Sequence, residues 1–431
     1  MVPQVKKVLF VAFHFPPYSG GSGVHRAFRF ACYLPENGWR PYVLTAHERA
    51  YEKVDPAGLA VLGGDACVIR AFALDAQRHM AFRGRYLRWS ALPDRWVNWA
   101  AAAVAVGLVK LYKEKIDLIL VTFPIATAVL IGVILHRLTR KPLVVDFRDS
   151  MTEDEYPREA KTRAVYKWIE RSAVESGSRF IFTTPSARRM YLNRYPGLAG
   201  DKCIVIPNGY DDHDFAGAAP GHPSRQRRAE GRVRLVHAGV IYPEDRDPRA
   251  FFGALRRLKE DGVIDAASLA VDLRASGFES YYSELLKALG IDDLVHLLPA
   301  LPHRDALEDM RAADGLLLLQ AASCNHQIPA KVYEYLRLGK PILALTPGKS
   351  DTAALLTEVG GATIAELSDE DSILEAMPAF IESVRRGAHP LPNLQEVQRY
   401  SRRRQAADLA HCLDQLLECS IEHRRTLYEE L

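Results

Sequence analysis

Apolar, β-branched runs alternate with helix-length segments along the first half of the chain. Seven runs are predicted as strands: VLFVAF from Val8, PYVLT from Pro41, CVIRAF from Cys67, DLILVT from Asp117, PLVVDF from Pro142, RFIFTT from Arg179 and CIVIP from Cys203. In most of these runs, the residues on one face of the strand and those on the other face are both mainly apolar. Strands of this kind are buried on both faces, which is typical of a parallel sheet covered by helices.

The alternation restarts after Asn208 to Arg232, a segment rich in Gly, Pro, Asp and Arg that has no periodicity and reads as a linker. Helices fit between the later strands, for example RAFFGALRRLKEDG from Arg249, which a glycine ends. The strands predicted in this second series are VRLVHAG from Val233, LAVDLRA from Leu269, LVHLLP from Leu294, GLLLLQ from Gly315, KPILAL from Lys340 and GATIAE from Gly361.

The pattern predicts an α/β protein with two Rossmann-like, doubly wound domains that face each other across a cleft. We assign residues 1–208 to the first domain, 209–231 to the linker and 232–400 to the second domain. Residues 401–431 form a closing amphipathic helix, with Leu409, Leu413 and Leu416 at helical spacing. Ligands of such sheets bind beyond the carboxyl ends of the strands, so residues that follow strands are the candidates for a site.

Composition and charge narrow the class of protein. A formal charge of +3 on 431 residues provides no overall basic surface, so nucleic acid is not an expected partner. The six cysteines include no CxxC pair and no zinc-type spacing. The N-terminus runs straight into a strand without a signal peptide, and the apolar stretch from Trp99 meets Lys110 well short of the ~20 residues of a membrane span. We therefore expect a cytoplasmic protein.

The loop after the first strand, HFPPYSGGSGVHRAFRF, places Gly20, Gly21 and Gly23 before a helix. Backbone N–H groups at a helix N-terminus bind phosphate well. A dinucleotide fingerprint needs a third glycine where Arg26 stands, and a nucleophile elbow needs a glycine where Val24 stands. The sequence favours a loop whose backbone approaches a phosphorylated ligand, and a turn without a ligand is the alternative.

Charged residues end an otherwise apolar strand in VVDFRDS, namely Asp146, Arg148 and Asp149. Burying charge is costly unless the charge is paired or used. A structural ion pair is one interpretation; the position at a strand's carboxyl end favours a role toward a ligand. We place Asp149 as an acid or base that orients an acceptor hydroxyl or its proton, with Arg148 and His14 on the acceptor side.

The segment CNHQIPAKVYEYLRLGKPILAL places Lys331 and Glu334 on one face of a helix. A lysine can meet a diphosphate as a point charge, and a carboxylate can accept both hydroxyls of a ribose; an exposed salt bridge is the alternative. The later PGKSDT is not a Walker loop, because Leu343 stands where that pattern needs a glycine. Ser350 in this motif is either a plain helix cap or part of a weak anion site.

The segment RHMAFRGRYLRWSALPDRWVNW, Arg78 to Trp99, holds five arginines, three tryptophans and a single acidic residue, Asp94. Basic residues mixed with aromatic ones suit a membrane interface or an anionic lipid head group. The alternative is a helical pair packed on the domain with its charges in solvent. We expect a peripheral contact with the inner face of the membrane through this segment.

Taken in order, these segments resemble the retaining glycosyltransferases of family 4, which have the GT-B fold. The resemblance covers essentially the whole chain and implies a nucleotide sugar held mainly by the second domain. It also implies an acceptor held by the first domain, and neither a metal nor another cofactor. The segments that carry it are PPYSGGSGVHRAFRFACYL, DFRDS, IPNGYDDHDF, HAGVIYPEDRDPRAFFGAL and IPAKVYEYLRLGKPILAL.

The resemblance further assigns roles to residues of this chain. The glycine loop approaches the diphosphate and the transferred sugar, and Arg246 and Lys331 match the cations that neutralise the diphosphate. Glu334 matches the second glutamate of the family's E-x7-E element, which binds ribose. The first glutamate of that element falls on His326 here, at the position that contacts the donor sugar.

We therefore expect transfer of a sugar from a nucleotide diphosphate to a hydroxyl of a sugar or lipid-linked acceptor, with retention, in polysaccharide or glycolipid synthesis at the cell surface. Asp149, Arg246 and Lys331 are the expected catalytic residues, because fixed cations stabilise the leaving diphosphate. One alternative is a nucleotide-sugar epimerase. Another is a non-catalytic nucleotide-sugar-binding protein, favoured by His326 in place of a glutamate. The third is an NAD-dependent oxidoreductase.

Overall fold

The chain divides into two compact domains. The N-terminal domain comprises Met1–Pro207 and Arg402–Leu431, and the second domain comprises Asn208–Ser401. The computed structural model describes residues 5–20, 23–55, 66–83, 86–153, 156–216, 231–243 and 246–429.

The described part of the N-terminal domain contains a parallel sheet of seven strands in the order β3-β2-β1-β4-β5-β6-β7. Its strands are β1 (Lys6–Val11), β2 (Trp39–Ala46), β3 (Cys67–Ala71), β4 (Leu118–Thr122), β5 (Leu143–Phe147), β6 (Arg179–Phe182) and β7 (Cys203–Val205). The strand order reverses between β1 and β4, where Leu9 pairs with Tyr42 on one side and Ile119 on the other. This is the doubly wound arrangement predicted from the alternation of apolar runs.

Helices cover both faces of this sheet. They are α1 (Gly23–Tyr33), α2 (Ala76–His79), α3 (Trp99–Lys113), α4 (Ala126–Thr139), α5 (Ala160–Ser176), α6 (Pro185–Arg194) and, from the other end of the chain, the helix Arg402–Glu429. The alternation of β1 shows why the strands are apolar throughout: Leu9 and Val11 pack in one core cluster, whereas Val8 and Phe10 pack in another.

The C-terminal helix packs on the N-terminal domain, as the family resemblance implies. Its Leu409, Leu413 and Leu416 lie in the same core cluster as Val8 and Phe10. The leucines at helical spacing thus form the buried face of this helix.

The second domain has its own parallel sheet, with six strands within the described residues in the order β10-β9-β8-β11-β12-β13. Its strands are β8 (Val233–Ala238), β9 (Leu269–Arg274), β10 (Val295–Leu298), β11 (Gly315–Leu319), β12 (Ile342–Leu345) and β13 (Ala362–Ala365). The order reverses between β8 and β11, which pair through Leu235 and Gly315. The carboxyl ends of these two strands mark the place where a doubly wound sheet holds its ligand.

The helices of the second domain follow the strands in regular alternation. They are α7 (Arg249–Glu260), α8 (Glu279–Ala288), α9 (His303–Ala312), α10 (Ala330–Leu338), α11 (Asp351–Val359), α12 (Glu370–Arg385) and α13 (Leu394–Val397), after which the C-terminal helix is α14.

The segment predicted as a linker is only partly described. Residues 217–230 lie outside the described residues. The part before them packs in the second domain, where Tyr210 and Phe215 join the core cluster that contains Val236. The second domain therefore begins before the predicted position 232, because two aromatic side chains fix the earlier residues to it.

Candidate functional site

A lysine, a histidine and a glycine meet at the carboxyl end of β8 in the second domain. Lys331 is the second residue of α10, whose start follows Pro329 and whose end is set by Gly339 in a left-handed conformation. The ammonium nitrogen of Lys331 lies 3.2 Å from Nε2 of His237, near the end of β8. The sequence predicts the lysine as a site residue but does not identify the histidine.

The tautomer of His237 is fixed by its second ring nitrogen. His237 is fully buried, and its Nδ1 lies 2.9 Å from the carbonyl oxygen of Leu317 on β11. Because a carbonyl can only accept, Nδ1 carries the proton and Nε2 accepts from the Lys331 ammonium. Burial, followed by the charge of Lys331, lowers the pKa of His237 well below its ordinary value. The imidazole is thus a neutral acceptor, not a second cation.

Gly239 leaves the space that the lysine occupies. Its φ is +120°, and a Cβ at this position would lie 2.8 Å from Nζ of Lys331. Any other residue would be strained in that backbone conformation and would crowd the ammonium. The N–H of Gly239 donates to the carbonyl of Arg274, so β9 holds the turn in place.

Arg246 brings a second cation to this site. It lies in the loop after β8, where its backbone N–H donates to the carbonyl of Tyr242 at 2.7 Å. Its Nη1 donates to the carbonyl of Val240 at 3.1 Å. The loop therefore folds back and brings the guanidinium toward the end of β8, near Lys331.

The nearby arginine contributes to a lowered pKa of Lys331. Burial, followed by the charge of Arg246, lowers the pKa of Lys331 from 10.5 to about 7, and the carboxylate of Glu334 acts in the opposite direction. Two like charges held close together are costly without an anion. Perturbed groups of this kind at a strand's carboxyl end are typical of binding and catalytic sites.

Glu334 and His326, which the resemblance places on the ribose and on the donor sugar, also lie near this end of the sheet. Glu334 is one turn along α10 from Lys331, and its Oε1 lies 3.7 Å from Nε2 of His303. His326 lies in the loop between β11 and α10. Gln320 holds this loop, because its Nε2 donates to the carbonyls of Cys324 and Gln327, each at 2.8 Å.

Ser350 serves as a helix cap. Its buried hydroxyl accepts from the N–H of Ala353 and lies 3.1 Å from Oγ1 of Thr346. The cap satisfies one of the free donors at the start of α11. Of the two interpretations of this serine, the structure therefore favours the cap over the anion site.

In the N-terminal domain, His14 lies directly beyond β1. Its ring stacks on that of Tyr18, with centroids 4.7 Å apart and planes at 10°. Burial, followed by the charge of Arg148, lowers the pKa of His14 to about 4, against an opposing effect of Asp149. His14 is thus a neutral side chain beside an ion pair.

That ion pair follows β5. Nη2 of Arg148 donates to Oδ2 of Asp149 at 2.8 Å, and Nε donates to the same oxygen at 3.2 Å. A Cβ on Gly23 would overlap Nη1 of Arg148, so only glycine lets the guanidinium reach the start of α1. The structure thus brings His14 and Gly23 of the opening loop together with Arg148 and Asp149 of VVDFRDS.

The third charged residue of VVDFRDS has a structural role. Asp146 is buried and accepts from Nε and Nη2 of Arg26 at 3.0 and 2.9 Å, and from the hydroxyl of Thr122 at 3.0 Å. Arg26 also donates to the carbonyls of Ile206 and Pro207. Arg26, which stands where a dinucleotide fingerprint has its third glycine, therefore joins α1 to β5 and to the two residues that follow β7.

The opening loop has two further glycines, Gly20 and Gly21. Gly20 is exposed, and a Cβ there would lie 2.8 Å from the hydroxyl of Tyr18. Gly21 lies outside the described residues.

The end of the segment Arg78 to Trp99 packs in the core of the N-terminal domain. Trp99 is fully buried, and the ring of Trp96 packs 4.5 Å from that of Phe13. Asp94 accepts from the N–H and the hydroxyl of Thr127. Apolar packing against β1 thus buries the end of the segment.

Neither a metal-binding cluster nor a membrane-spanning helix occurs among the described residues. Those residues contain no group of three His, Cys, Asp or Glu side chains arranged to hold a metal ion. No helix among them combines the length and the apolar character that a bilayer span requires.

Known proteins resemble this chain in sequence and in fold. Residues 19–214 match the sequence profile of Glycosyltransferase Family 4. The chain is 27% identical over 213 residues to D-inositol 3-phosphate glycosyltransferase from Kineococcus radiotolerans, an alignment that covers 45% of each protein. The chain thus matches less than half the length of this curated relative.

Two solved structures share the fold over nearly the whole chain. Sucrose-phosphate synthase from Thermosynechococcus elongatus superimposes with a TM-score of 0.65 at 14% identity, over 96% of this chain and all of that one. HepE from Anabaena, solved in complex with UDP, gives a TM-score of 0.64 at 17% identity, over 95% of this chain and all of that one. The chain has the GT-B fold. The predicted resemblance to family 4 glycosyltransferases is confirmed for residues 19–214.

Proposed function

We propose that this chain is a glycosyltransferase that moves a sugar from a nucleotide diphosphate donor to a hydroxyl acceptor, with retention. The proposed acceptor is a sugar or a lipid-linked sugar in the synthesis of a cell-surface polysaccharide or glycolipid. The family match of the first domain supports transferase activity, and the UDP complex of HepE makes UDP-sugars the first donors to test.

The pair of cations at the end of β8 carries the proposal. Lys331 and Arg246 lie close enough for the arginine to lower the pKa of the lysine, and the neutral His237 between strand and helix does not offset their charge. Glu334 supplies one carboxylate near these two cations, and a diphosphate would supply the further negative charge. The start of α10, one residue before Lys331, adds backbone N–H groups that favour the same anion.

The chemistry follows from this charge distribution. As the bond between the anomeric carbon and the diphosphate oxygen breaks, the electron pair remains on the diphosphate, where Lys331 and Arg246 stabilise it. The acceptor oxygen bonds to the anomeric carbon and loses its proton. We assign Asp149, held by Arg148 at 2.8 Å, to orient the acceptor hydroxyl or take up that proton. Glu334 is assigned to the ribose hydroxyls and His326 to the donor sugar.

A thermal-shift screen with UDP-, GDP-, ADP- and dTDP-sugars tests the donor class, because binding to the native state raises the melting temperature. We expect one base to stabilise the protein, and Lys331→Met to weaken that donor's affinity roughly 10- to 100-fold through the loss of a charged contact. Lys287→Met is the matched control, since Lys287 is an exposed lysine of α8. Stabilisation by none of the donors, or equal affinity in Lys331→Met and wild type, contradicts the proposal.

The epimerase alternative is distinguished by product analysis without an acceptor. An epimerase converts the donor sugar on its own, whereas the proposed transferase releases only the slow products of hydrolysis. Binding without turnover of any donor, in the presence of extracts that contain acceptors, would favour the non-catalytic alternative.

A further inference from the structure

Glu170 is a fully buried carboxylate in the middle of α5. Burying a carboxylate is costly unless hydrogen-bond donors surround it. Its two oxygens accept from five groups: the N–H of Thr152 at 3.1 Å, the hydroxyls of Thr152 at 3.1 Å, Tyr191 at 3.0 Å and Tyr195 at 2.6 Å, and Nη1 of Arg194 at 2.8 Å. The carboxylate is therefore engaged inside the N-terminal domain and does not itself face a ligand.

One oxygen of Glu170 holds the segment that follows β5. The N–H of Thr152 donates directly to Oε2 of Glu170. The hydroxyl of Tyr191 donates to the same oxygen and accepts from the N–H of Met151 at 3.1 Å. Two consecutive backbone N–H groups are thus held by this carboxylate, one directly and one through a tyrosine.

The other end of the same segment is also fixed. The hydroxyl of Thr183, which directly follows β6, donates to the carbonyl of Arg148 at 3.0 Å. Residues 150–152 are buried, whereas the side chain of Asp149 is 37% exposed. The segment 148–152 therefore packs its backbone against the domain and presents the Asp149 carboxylate to solvent.

The ion pair between Asp149 and Arg148 does not replace this support. The two residues are neighbours in the chain, so the guanidinium moves together with the carboxylate that it binds. A displacement of about 1 Å at a reacting group can lower a rate about 100-fold, so its position must be fixed from outside the segment. Glu170 on α5 and Tyr191 on α6 provide two such contacts.

A carboxylate suits the contacts made at position 170. It accepts on both oxygens and donates nothing, and all five surrounding groups donate. Arg194 supplies the opposite charge, with Nη1 at 2.8 Å from Oε1 of Glu170. A buried polar network whose members are all satisfied makes its surroundings rigid. An apolar side chain at this position would leave the N–H of Thr152 without its acceptor.

We propose that Glu170 is a positioning residue for Asp149. Its carboxylate fixes the backbone of Met151 and Thr152 and so places the Asp149 carboxylate beyond the end of β5. The inference rests on the proposed function, which assigns Asp149 to the acceptor hydroxyl. It adds Glu170 and Tyr191 to the residues on which the rate of transfer depends, although neither is assigned a contact with the reacting atoms.

Hydrogen–deuterium exchange of the full chain, without any nucleotide sugar, tests whether the network holds the segment. Glu170→Gln places an NH2 group among donors, and Tyr191→Phe removes only the hydroxyl that accepts from Met151. Each variant should speed exchange at least about fivefold in peptides that contain Met151 and Thr152, because a buried N–H group loses its acceptor or holds it less firmly.

Tyr191→Phe is the milder change, because its ring keeps its packing against Phe147 and Phe182. It decides the result if the other variant does not fold. Asp414→Asn is the matched control, since Asp414 of α14 accepts from Nε1 of Trp39 at 2.8 Å, at the amino edge of the same sheet. This control should leave exchange of the segment as it is in wild type.

A kinetic test separates positioning from stability. Glucose release from UDP-, GDP-, ADP- and dTDP-glucose, with water as the acceptor, gives kcat, and calorimetric titration gives the donor affinity. We expect Glu170→Gln to lower kcat about 10- to 100-fold and to leave donor affinity unchanged, because the proposed cation contacts of the donor lie in the second domain. In an Asp149→Asn background the same substitution should lower kcat less than about threefold, because the group that it positions is already absent.

Unchanged exchange at Met151 and Thr152 in both variants overturns the inference, and so does exchange that rises throughout the N-terminal domain. A purely structural role of Glu170 predicts the same loss of kcat with and without Asp149→Asn, and that result overturns it as well. Wild type that neither binds nor hydrolyses any of the four donors contradicts the proposed function instead. The exchange result then still decides whether Glu170 fixes the segment.

Discussion

Raising the pH should weaken donor binding through the titration of Lys331. The lysine is partly buried near Arg246, Glu334 and His237, and its pKa in the free protein is lowered to about 7. An arginine keeps its charge across the neutral range, and His237 is already neutral. Loss of the ammonium therefore removes one of the two cations proposed to bind the diphosphate.

The size of the effect follows from the fraction of protein that carries the ammonium. The apparent dissociation constant is the intrinsic one divided by that fraction. With a pKa of about 7, roughly nine tenths of Lys331 is charged at pH 6 and about 3% at pH 8.5, so affinity falls about 30-fold across this range. A lysine with an ordinary pKa near 10.4 would give no change.

The assay is isothermal titration of the donor at pH 6, 7, 7.75 and 8.5, in buffers of different ionisation enthalpy. The ligand must be an intact nucleotide sugar, because the terminal phosphate of a free nucleoside diphosphate titrates near pH 6 and would add its own slope. Bound diphosphate restores the charge of Lys331, so binding above pH 7 should take up about one proton.

Lys331→Met should bind weakly at every pH and without proton uptake, whereas Lys287→Met should behave as wild type does. A dissociation constant that stays flat from pH 6 to 8.5 refutes the assignment of the ammonium to the diphosphate. So does a slope that persists unchanged in Lys331→Met.

Gly239→Ala should weaken donor binding at least about tenfold, because its Cβ would lie 2.8 Å from the ammonium nitrogen of Lys331. Gly262→Ala is the control, since Gly262 also has a positive φ but has open space around it, and it should leave binding unchanged. Calorimetric titration of the donor compares the two variants. Arg26→Met should lower the free energy of unfolding in urea by about 3–5 kcal/mol, since it leaves the buried Asp146 without its cation, and a loss under about 1 kcal/mol would contradict the buried pair. His14 has a pKa of about 4 when folded and near 6.5 when unfolded, so between these values the unfolded chain binds the extra proton and stability falls as the pH falls. His14→Gln should therefore lose less stability than wild type between pH 7 and pH 4.5 in urea titrations, and equal losses would refute the shift.

The strands could be predicted because their sequence signal is local. The run GLLLLQ was predicted as a strand and contains β11, all of whose residues are buried. A central parallel strand requires apolar residues on both faces, and the run shows them directly. The leucines of α14 were equally readable, because the helical period alone places them on one face. The start of the second domain could not be predicted in this way, because Tyr210 and Phe215 pack with residues of several later elements, among them Val236 and Val332.

Contacts between site residues could be predicted only where both residues lie in one segment of the sequence. Lys331 and Glu334 share a helical turn, so their spacing places them together. His237 lies 94 residues from Lys331 and looks like an ordinary polar interruption in VRLVHAG until β8 and α10 are brought together. The same holds for Arg26 and Asp146, 120 residues apart, where the sequence left open whether the carboxylate pairs or serves a ligand.

The arrangement at the end of β8 supports the proposal that an anion binds there. Lys331 has beside it a cation that raises its energy and an imidazole that accepts a hydrogen bond but contributes no negative charge. A salt bridge serving stability alone would have placed a carboxylate within contact distance, as Asp146 does for Arg26. Gly239 adopts a φ that would strain any other residue, and its lack of a side chain leaves space for the ammonium. The carboxylate of Glu334 opposes the effect of burial and of Arg246 on Lys331 only in part, and the pKa of Lys331 stays lowered. Perturbed groups of this kind tend to collect where a ligand completes the site. The diphosphate is the group of the right charge for that place, and the pH dependence of its binding is the direct measure of the argument.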